Sequence, residues 1–553
     1  MTDEAIQKDA TSTSSLLYSR LNRTAPVLVG LFSFIIYLRT MAPTIYWGDG
    51  IEFSTVCATG GVAHPTGYPL FTLLGMAFVK IFPQNPGFAT NLMCGFFSAV
   101  ASALFCIAVR SILNIIPSNR FLHEHYKSII GMAAGLILAF SSTLWKHSVI
   151  TEVYSLHILF VCALILLSIS FAREKKNLYY FLFFAVWGLS FSNHMLSLTM
   201  APFAVYMVVL YCRNSEKKVF LKMAVPGAAL LFLAGLLPYV YLPLRASSGA
   251  ALNWGNPSNF DNFLWVISGG DFKRYQFMSA APGIPFTFST FVEHFIRRIF
   301  MFGSWTVQQI RHFPPHTPLL KGVCFLGMAI FLLAGIMTLL RKKTGFGLTV
   351  FGYVLFALFM TIIYNIPDIQ PYFLALWPGL LILVIVGLVE ILHRGEMRLV
   401  GRKINFTAYL FLLIPLISLS GHYDHLDKSR NTDAFHYGLN VMRSAPHDAV
   451  IITYGDNDIF SLWYLQKARG LREDVTIIGS NFIHSDWYAA YFRDADEDDP
   501  DITIRGSEAP PSKGDFFLDL MMWVINPNLG EFPIIMTGSE PIMEGVYKLR
   551  TTK

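Results

Sequence analysis

Apolar residues gather in eleven stretches of roughly 20, near 25–42, 88–109, 128–145, 154–171, 178–192, 195–212, 219–242, 319–340, 346–364, 372–392 and 405–420. Stretches of this length suit helices crossing a bilayer core. They lack the two-residue alternation of barrel strands, so the pattern predicts a polytopic α-helical membrane protein with about 11 transmembrane helices. The polar gaps between them are of two kinds. Every second one is basic: Arg20 and Arg23, then Arg110, Arg120 and Lys127, then Arg173, Lys175 and Lys176, then Arg213, Lys217 and Lys218, then Arg341, Lys342 and Lys343, then Arg394, Arg398, Arg402 and Lys403. The others are nearly free of Lys and Arg, with none in 43–67, 192–195 or 365–371 and only Lys146 in 146–153. The positive-inside rule places the basic gaps and the N-terminus in the cytoplasm and the others outside. Tyr68–Phe82 is apolar but only about 15 residues long and bounded by Pro69 and Pro83, which predicts an interfacial or re-entrant helix on the outer side.

Composition strengthens the membrane reading. Of 553 residues 54% are hydrophobic and only 14% charged, against roughly 25% charged in soluble domains; mean hydropathy is +0.48. The formal charge of +6 combines two opposite parts, since 12 Lys+Arg face 21 Asp+Glu from Gly421 onward, leaving 30 against 15 before it. Three regions follow: a cytoplasmic tail over 1–24, a membrane domain over 25–420 with outward loops 43–87 and 244–317, and an acidic exported domain over 421–553. Within the last, an amphipathic helical pattern ends before Pro446, and AVIITYGDNDIFSLWYLQKARGLREDVTIIGS reads as strand, loop, helix, strand. That order is an α/β unit with parallel strands. The six cysteines show no CxxC or zinc-like spacing, so neither disulfides nor a cysteine metal site is expected. The polar opening MTDEAIQKDATSTSS does not read as a cleavable signal peptide.

Candidate chemistry collects on the outer side. A transporter would place its ionisable groups near the midplane; here they stand at the outer ends of spans, which points to a site opening outward. In GDGIEF, Asp49 serves as a helix N-cap, as a proton acceptor, or as both, with Glu52 three residues on. HPTGYP makes a rigid turn that either is an elbow or presents His64 and Tyr68 to a substrate. His147, Glu152 and Tyr154 in KHSVITEVY, and His194 in SNHM, are site residues or merely interface and turn residues. Arg245, ending the seventh span on the outer side, either clamps a phosphate or snorkels to headgroups. Asp368, Gln370 and Tyr372 in YNIPDIQPYF suit polar hydroxyls. GDND at 455–458 suits helix capping better than cation binding, and DADEDDPD from Asp494 suits a solvated loop. Neither GxGxxG nor a P-loop occurs, and no spacing demands a metal.

Taken together and in this order, GDGIEF, AHPTGYPLFTLLG, TEVYSLH, SNHM, PDIQPYF and GDNDIFSLWYLQ…GLREDV resemble the DUF2723 family of the GT-C glycosyltransferase superfamily, which includes an O-mannosyltransferase of plexin-type domains. The resemblance covers most of the chain. It implies a multi-spanning enzyme that moves a sugar, a hexose such as mannose, from a polyprenyl-phosphate donor to an acceptor hydroxyl on protein, glycan or lipid. It makes Asp49 the expected catalytic base with Glu52 beside it, and Glu152 a second outward acid. The family pattern GDSGE with HPPGYP is altered here at Gly50-Ile51 and Thr66, which leaves both acids in place. Inversion at the anomeric centre is expected, and a transporter or flippase is the rival reading. Asn-x-Ser/Thr sequons occur only at Asn22 and Asn405, on the expected cytoplasmic side. This favours a bacterial inner membrane with a periplasmic site over the endoplasmic reticulum.

Overall fold

The computed structural model describes residues 3–116, 124–216, 220–278, 287–312, 317–399, 407–483, 485, 487–488 and 525–538. Among these, eight helices are long and apolar enough to cross a membrane: Asn22–Thr40, Pro86–Ile115, Tyr154–Glu174, Met195–Asn214, Lys222–Ser247, Pro318–Lys342, Gly345–Ile362 and Gln370–Arg394. Three of the eleven expected spans differ. The one expected over 128–145 is two helices, Glu124–Ala139 and Ser142–Ser148, bent by 66°. At the bend Ser141 Oγ donates to Leu138 O (2.7 Å), a side-chain bond that competes with the helical ladder. Asn177–Phe191 has 15 residues, about 22 Å of helix against a core of about 30 Å. The last is divided into Thr407–Leu410 and Leu413–Leu426, and the second piece runs through the domain boundary expected at 421.

Burial separates central helices from lipid-facing ones. The apolar window of Gln370–Arg394 is 83% buried within the protein, whereas those of Pro318–Lys342 and Lys222–Ser247 are 17% and 11% buried, so the last two show most of their apolar surface to lipid. Close helix pairs meet at glycine, as expected where van der Waals contact rather than water drives association. A Cβ on Gly335 would lie 1.8 Å from Leu383 O and one on Gly387 1.9 Å from Phe331 O, which locks Pro318–Lys342 against Trp377–Leu399.

The C-terminal domain holds a three-stranded parallel sheet, order β2-β1-β3, with β1 at Val450–Thr453, β2 at Thr476–Gly479 and β3 at Ile534–Met536. Val450 aligns with Thr476 on one side and Ile534 on the other. The helix Asp456–Trp463 follows β1 as expected, and β3 adds a strand that local pattern did not reveal. The acidic run from Asp494 lies outside the described residues. The domain is tied to the membrane part by Lys428 N–H donating to Thr40 O (2.9 Å) and by Tyr464 Oη accepting from Gly87 N–H (3.2 Å). Replacing Gly335 by Val should force the two helices apart and lower the thermal midpoint of the detergent-solubilised protein, by the equivalent of about 1–3 kcal/mol.

Candidate active site

The first outward loop is pinned before it reaches its acids. Asn91 Nδ2 donates to Ala42 O (3.0 Å) and Thr44 O (2.9 Å), and Asn85 Nδ2 to Pro43 O (2.8 Å). The helix Gly50–Thr59 then starts against the 149–153 segment, so closely that a Cβ on Gly50 would lie 2.4 Å from Thr151 O. A buried hydroxyl network joins these parts. Thr151 Oγ1 donates to Asn91 Oδ1 (2.7 Å), shares a hydrogen bond with Thr90 Oγ1 (2.7 Å), and Thr90 shares another with Ser54 Oγ (2.9 Å). It fixes the segment bearing Glu152 relative to the helix bearing Asp49 and Glu52.

Asp49 occupies the N-cap position but makes no side-chain capping bond, so its carboxylate is not consumed by the helix start. It is exposed although Gly50 to Cys57 are buried. Burial in its surroundings nevertheless raises its carboxyl above the ordinary range; His64 pulls it down, and Glu52 and Asp368 push it up. The carboxylate therefore reaches solvent from a surface otherwise crowded by protein. Glu152 lies near it, its carboxyl raised to about 8 by burial and then by Asp49, with Asp368 adding to the rise and Lys146 and His64 opposing it. Asp368 itself is exposed.

Glu52 has a different place. It is 1% exposed, accepts from the His64 backbone N–H (2.8 Å) and pairs with His64 Nδ1 (2.5 Å). Burial alone would lower the imidazole pKa; the Glu52 carboxylate, helped by Asp49 and Glu152, overrides that and brings it to about 9. The structure therefore makes Glu52 the counter-ion that keeps His64 positive. From His64 a wall of rings runs inward: Tyr68 (5.1 Å between centroids), then His194 (5.7 Å), then Tyr154 (5.6 Å) and Tyr372 (5.7 Å), with His147 against Tyr154 (5.0 Å). Gln370 is exposed at the start of the short helix leading to Tyr372.

Arg245 does not join this group. Its Nε donates to Gly60 O (2.6 Å) and Nη2 to Thr59 O (3.4 Å), capping the C-terminus of Gly50–Thr59. That is the far end from Asp49, about 15 Å along the axis. Unpaired carbonyls at a helix end accept from a guanidinium. Of the two roles expected for Arg245, phosphate clamp or headgroup anchor, neither describes these two donors, which cap a helix. Among the described residues, three ligand atoms lie within 4.8 Å of one another at His447, Asp448 and Asp474. That exposed set is at the opposite end of β1 from the GDND turn, and Asp474 is engaged by Arg472 (2.7 Å), which lowers its carboxyl to about 2.

Residues 49–219 match the family model of the protein O-mannosyl-transferase TMEM260 N-terminal domain, and residues 434–510 match TMEM260-associated domain 2. Protein O-mannosyl-transferase TMEM260 of Mus musculus is 26% identical over 476 residues, covering 82% of this chain and 62% of its own length. The Dictyostelium discoideum protein of the same name is 23% identical over 510 residues, covering 84% and 58%. This chain spans less than two thirds of either relative. Among solved structures, ArnT from Cupriavidus metallidurans bound to undecaprenyl phosphate aligns with a TM-score of 0.50 at 10% identity, over 82% of this chain and 85% of that one. The chain shares the fold of that structure.

Of the two segments with TMEM260 likeness, the first begins at Asp49 and the second contains the GDND turn. Residues not singled out from sequence also pack on the group of rings that starts at His64. Trp254 and Phe272 pack on His64 (5.9 and 5.8 Å), and His157 stands 6.0 Å from His194 with both ring nitrogens buried and unbonded. His157 had a local signal, since Tyr154 and His157 are three apart and share a helix face; Trp254 and Phe272 had none. The raised His64 pKa has a consequence for stability. The native state holds that proton more tightly than the unfolded chain, so the stabilisation is complete below pH 6.5 and lost as pH rises through about 9. The thermal midpoint should fall over that window, and Glu52→Gln should lower the midpoint at pH 6 and flatten the dependence.

Proposed function

We propose that the chain is a membrane glycosyltransferase that moves a hexose, mannose, from a polyprenyl-phosphate donor to a hydroxyl of a protein acceptor on the non-cytoplasmic side. The observation that carries this reading is the Asp49 carboxylate, left out of helix capping, exposed, and close to Glu152, Asp368 and a positive His64. An uncommitted, solvent-reaching carboxylate at the end of a helix is what a base acting on an acceptor hydroxyl requires. The relatives named protein O-mannosyl-transferase favour mannose and a protein acceptor. The fold shared with ArnT bound to undecaprenyl phosphate favours a prenyl carrier. The motif resemblance to the DUF2723 group, with its plexin-type acceptors, agrees with the same assignment.

In the proposed step the acceptor oxygen attacks the anomeric carbon while its proton passes to Asp49. The bond between that carbon and the phosphate oxygen breaks, and polyprenyl phosphate leaves with the electron pair. One displacement inverts the configuration. The carboxyl of Asp49, raised above the ordinary range, is a stronger base than a solvated aspartate yet remains ionised at a suitable pH. His64 is the positive charge beside it, held so by Glu52, and offsets part of the negative charge gathered at the phosphate. The polar rings of Tyr68, His147, Tyr154, His194 and Tyr372 present the wall against which sugar hydroxyls bind, and Asp368 and Gln370 the outer lip. A carrier tail stays in the bilayer because each CH₂ removed from it costs about 0.8 kcal/mol, so the reacting sugar must meet the acids at the interface. The absence of outward sequons supports a bacterial inner membrane, with the site facing the periplasm.

With purified protein, a mannosyl polyprenyl phosphate and a protein acceptor, Asp49→Asn should lower kcat by about 10²–10⁴-fold while donor binding persists. Wild-type transfer by Asp49→Asn, or solute uptake independent of donor, would overturn the reading. Activity should fall on the acid side as Asp49 gains a proton. Asp368→Asn removes a neighbouring negative charge and should move that limb to lower pH; His64→Gln removes a positive one and should move it higher.

A further inference from the structure

Asp49 is aimed by a loop that the C-terminal domain holds in place. Gly48, directly before it, donates its backbone N–H to Asn457 Oδ1 at 2.8 Å, a bond across 409 residues of chain. Gly48 has φ +104°, a conformation that side chains avoid, and its carbonyl accepts from Ile51 N–H (3.1 Å) at the start of the helix. The neighbouring Trp47 ring rests 5.5 Å from Tyr437 of the same C-terminal domain. Below, Gly50 is pressed on Thr151. The loop is therefore clamped from the membrane side by Thr151 and from the outer side by Asn457 and Tyr437, with Asp49 between.

The turn that supplies Asn457 is itself rigid. Asp458 accepts from Tyr437 Oη (2.7 Å) and from Thr537 Oγ1 (2.7 Å), tying it to the preceding helix and to the end of β3. Asp456 is held by Asn481 Nδ2 (2.5 Å) and lies close enough for Asp49 and His64 to act on its carboxyl. GDND was read from sequence as a helix cap, but two of its side chains hold the turn and a third holds the opposite domain.

Resting on the proposed transferase reading, we infer that Asn457 is a positioning residue for Asp49: through the Gly48 N–H it sets the direction of the carboxylate, so the C-terminal domain completes the active site. Other contacts, Lys428 to Thr40 and Tyr464 to Gly87, keep the domain docked when this one bond is lost.

The test compares full-length wild type, Asn457→Ala, Asn457→Asp, Asp49→Asn and the double variant Asp49→Asn/Asn457→Ala, with a mannosyl polyprenyl phosphate and a protein acceptor. Asn457→Ala should lower kcat by about 10- to 100-fold, as misaimed reacting groups do, with donor KM unchanged within about twofold. Asn457→Asp keeps an acceptor oxygen for Gly48 and should recover most of kcat on the pH plateau. In the Asp49→Asn background Asn457→Ala should have no further effect, because the group being aimed no longer accepts a proton. Hydrogen exchange followed by mass spectrometry should show faster exchange at the Gly48 peptide in Asn457→Ala, with the peptides around Thr40 and Gly87 still protected. Wild-type kcat in Asn457→Ala while Asp49→Asn is inactive overturns the inference alone, as does loss of protection across the whole docking face. Full activity in Asp49→Asn overturns the transferase reading of Asp49 itself.

Discussion

The site depends on a small buried network of hydroxyls and one amide. Asn91, Thr90, Thr151 and Ser54 come from three separate elements, and each uses its polar atom on another member of the group or on a nearby carbonyl. In a bundle otherwise packed by apolar side chains, such groups have few partners to choose from, and an unpaired one costs about 1–3 kcal/mol. The geometry is therefore over-determined. It sets the distance between the start of the Gly50–Thr59 helix and the Glu152 segment, and with it the spacing of the carboxylates they carry.

The electrostatics of the site follow from two placements. Burying Glu52 against His64 makes an ion pair and keeps on the imidazole a positive charge that burial alone would have removed. Among the described residues Asp49, Glu152 and Asp368 have no direct counter-ion; Glu52 and Asp368 add to burial in raising Asp49, and Asp49 and Asp368 do so for Glu152. Two acids three residues apart thus have unrelated duties. Glu52 faces inward and is spent on His64; Asp49, at the helix end, faces the opening.

The C-terminal domain is a second support for the same loop. Its parallel strands place the turn after β1 at the C-terminal edge of the sheet, where α/β units commonly present functional groups. That edge faces the membrane domain, so Asn457 meets Gly48 there. Arg245, at the other end of the Gly50–Thr59 helix, balances the arrangement by satisfying carbonyls that the Gly60 turn leaves open. Both ends of one ten-residue helix are held by residues far away in the chain.

Much of the architecture was legible in order and charge alone. Long apolar runs and a strand-loop-helix-strand pattern are local properties, and a bilayer enforces the former as helices because backbone polar groups must be paired within each span. That Asp49, Glu152, His194, Asp368 and Tyr372 come near one another was likewise readable in part, since all stand in or beside the gaps poor in Lys and Arg. Lengths near the limit misled: Ser141 bends one run, and Asn177–Phe191 is shorter than a core is thick. Tertiary structure alone decided that Glu52 belongs to His64, that Arg245 caps a helix, and that GDND reaches across to Gly48. Those outcomes depend on which long-range partner lies within about 3 Å, and a short polar side chain carries no local sign of the partner it will meet.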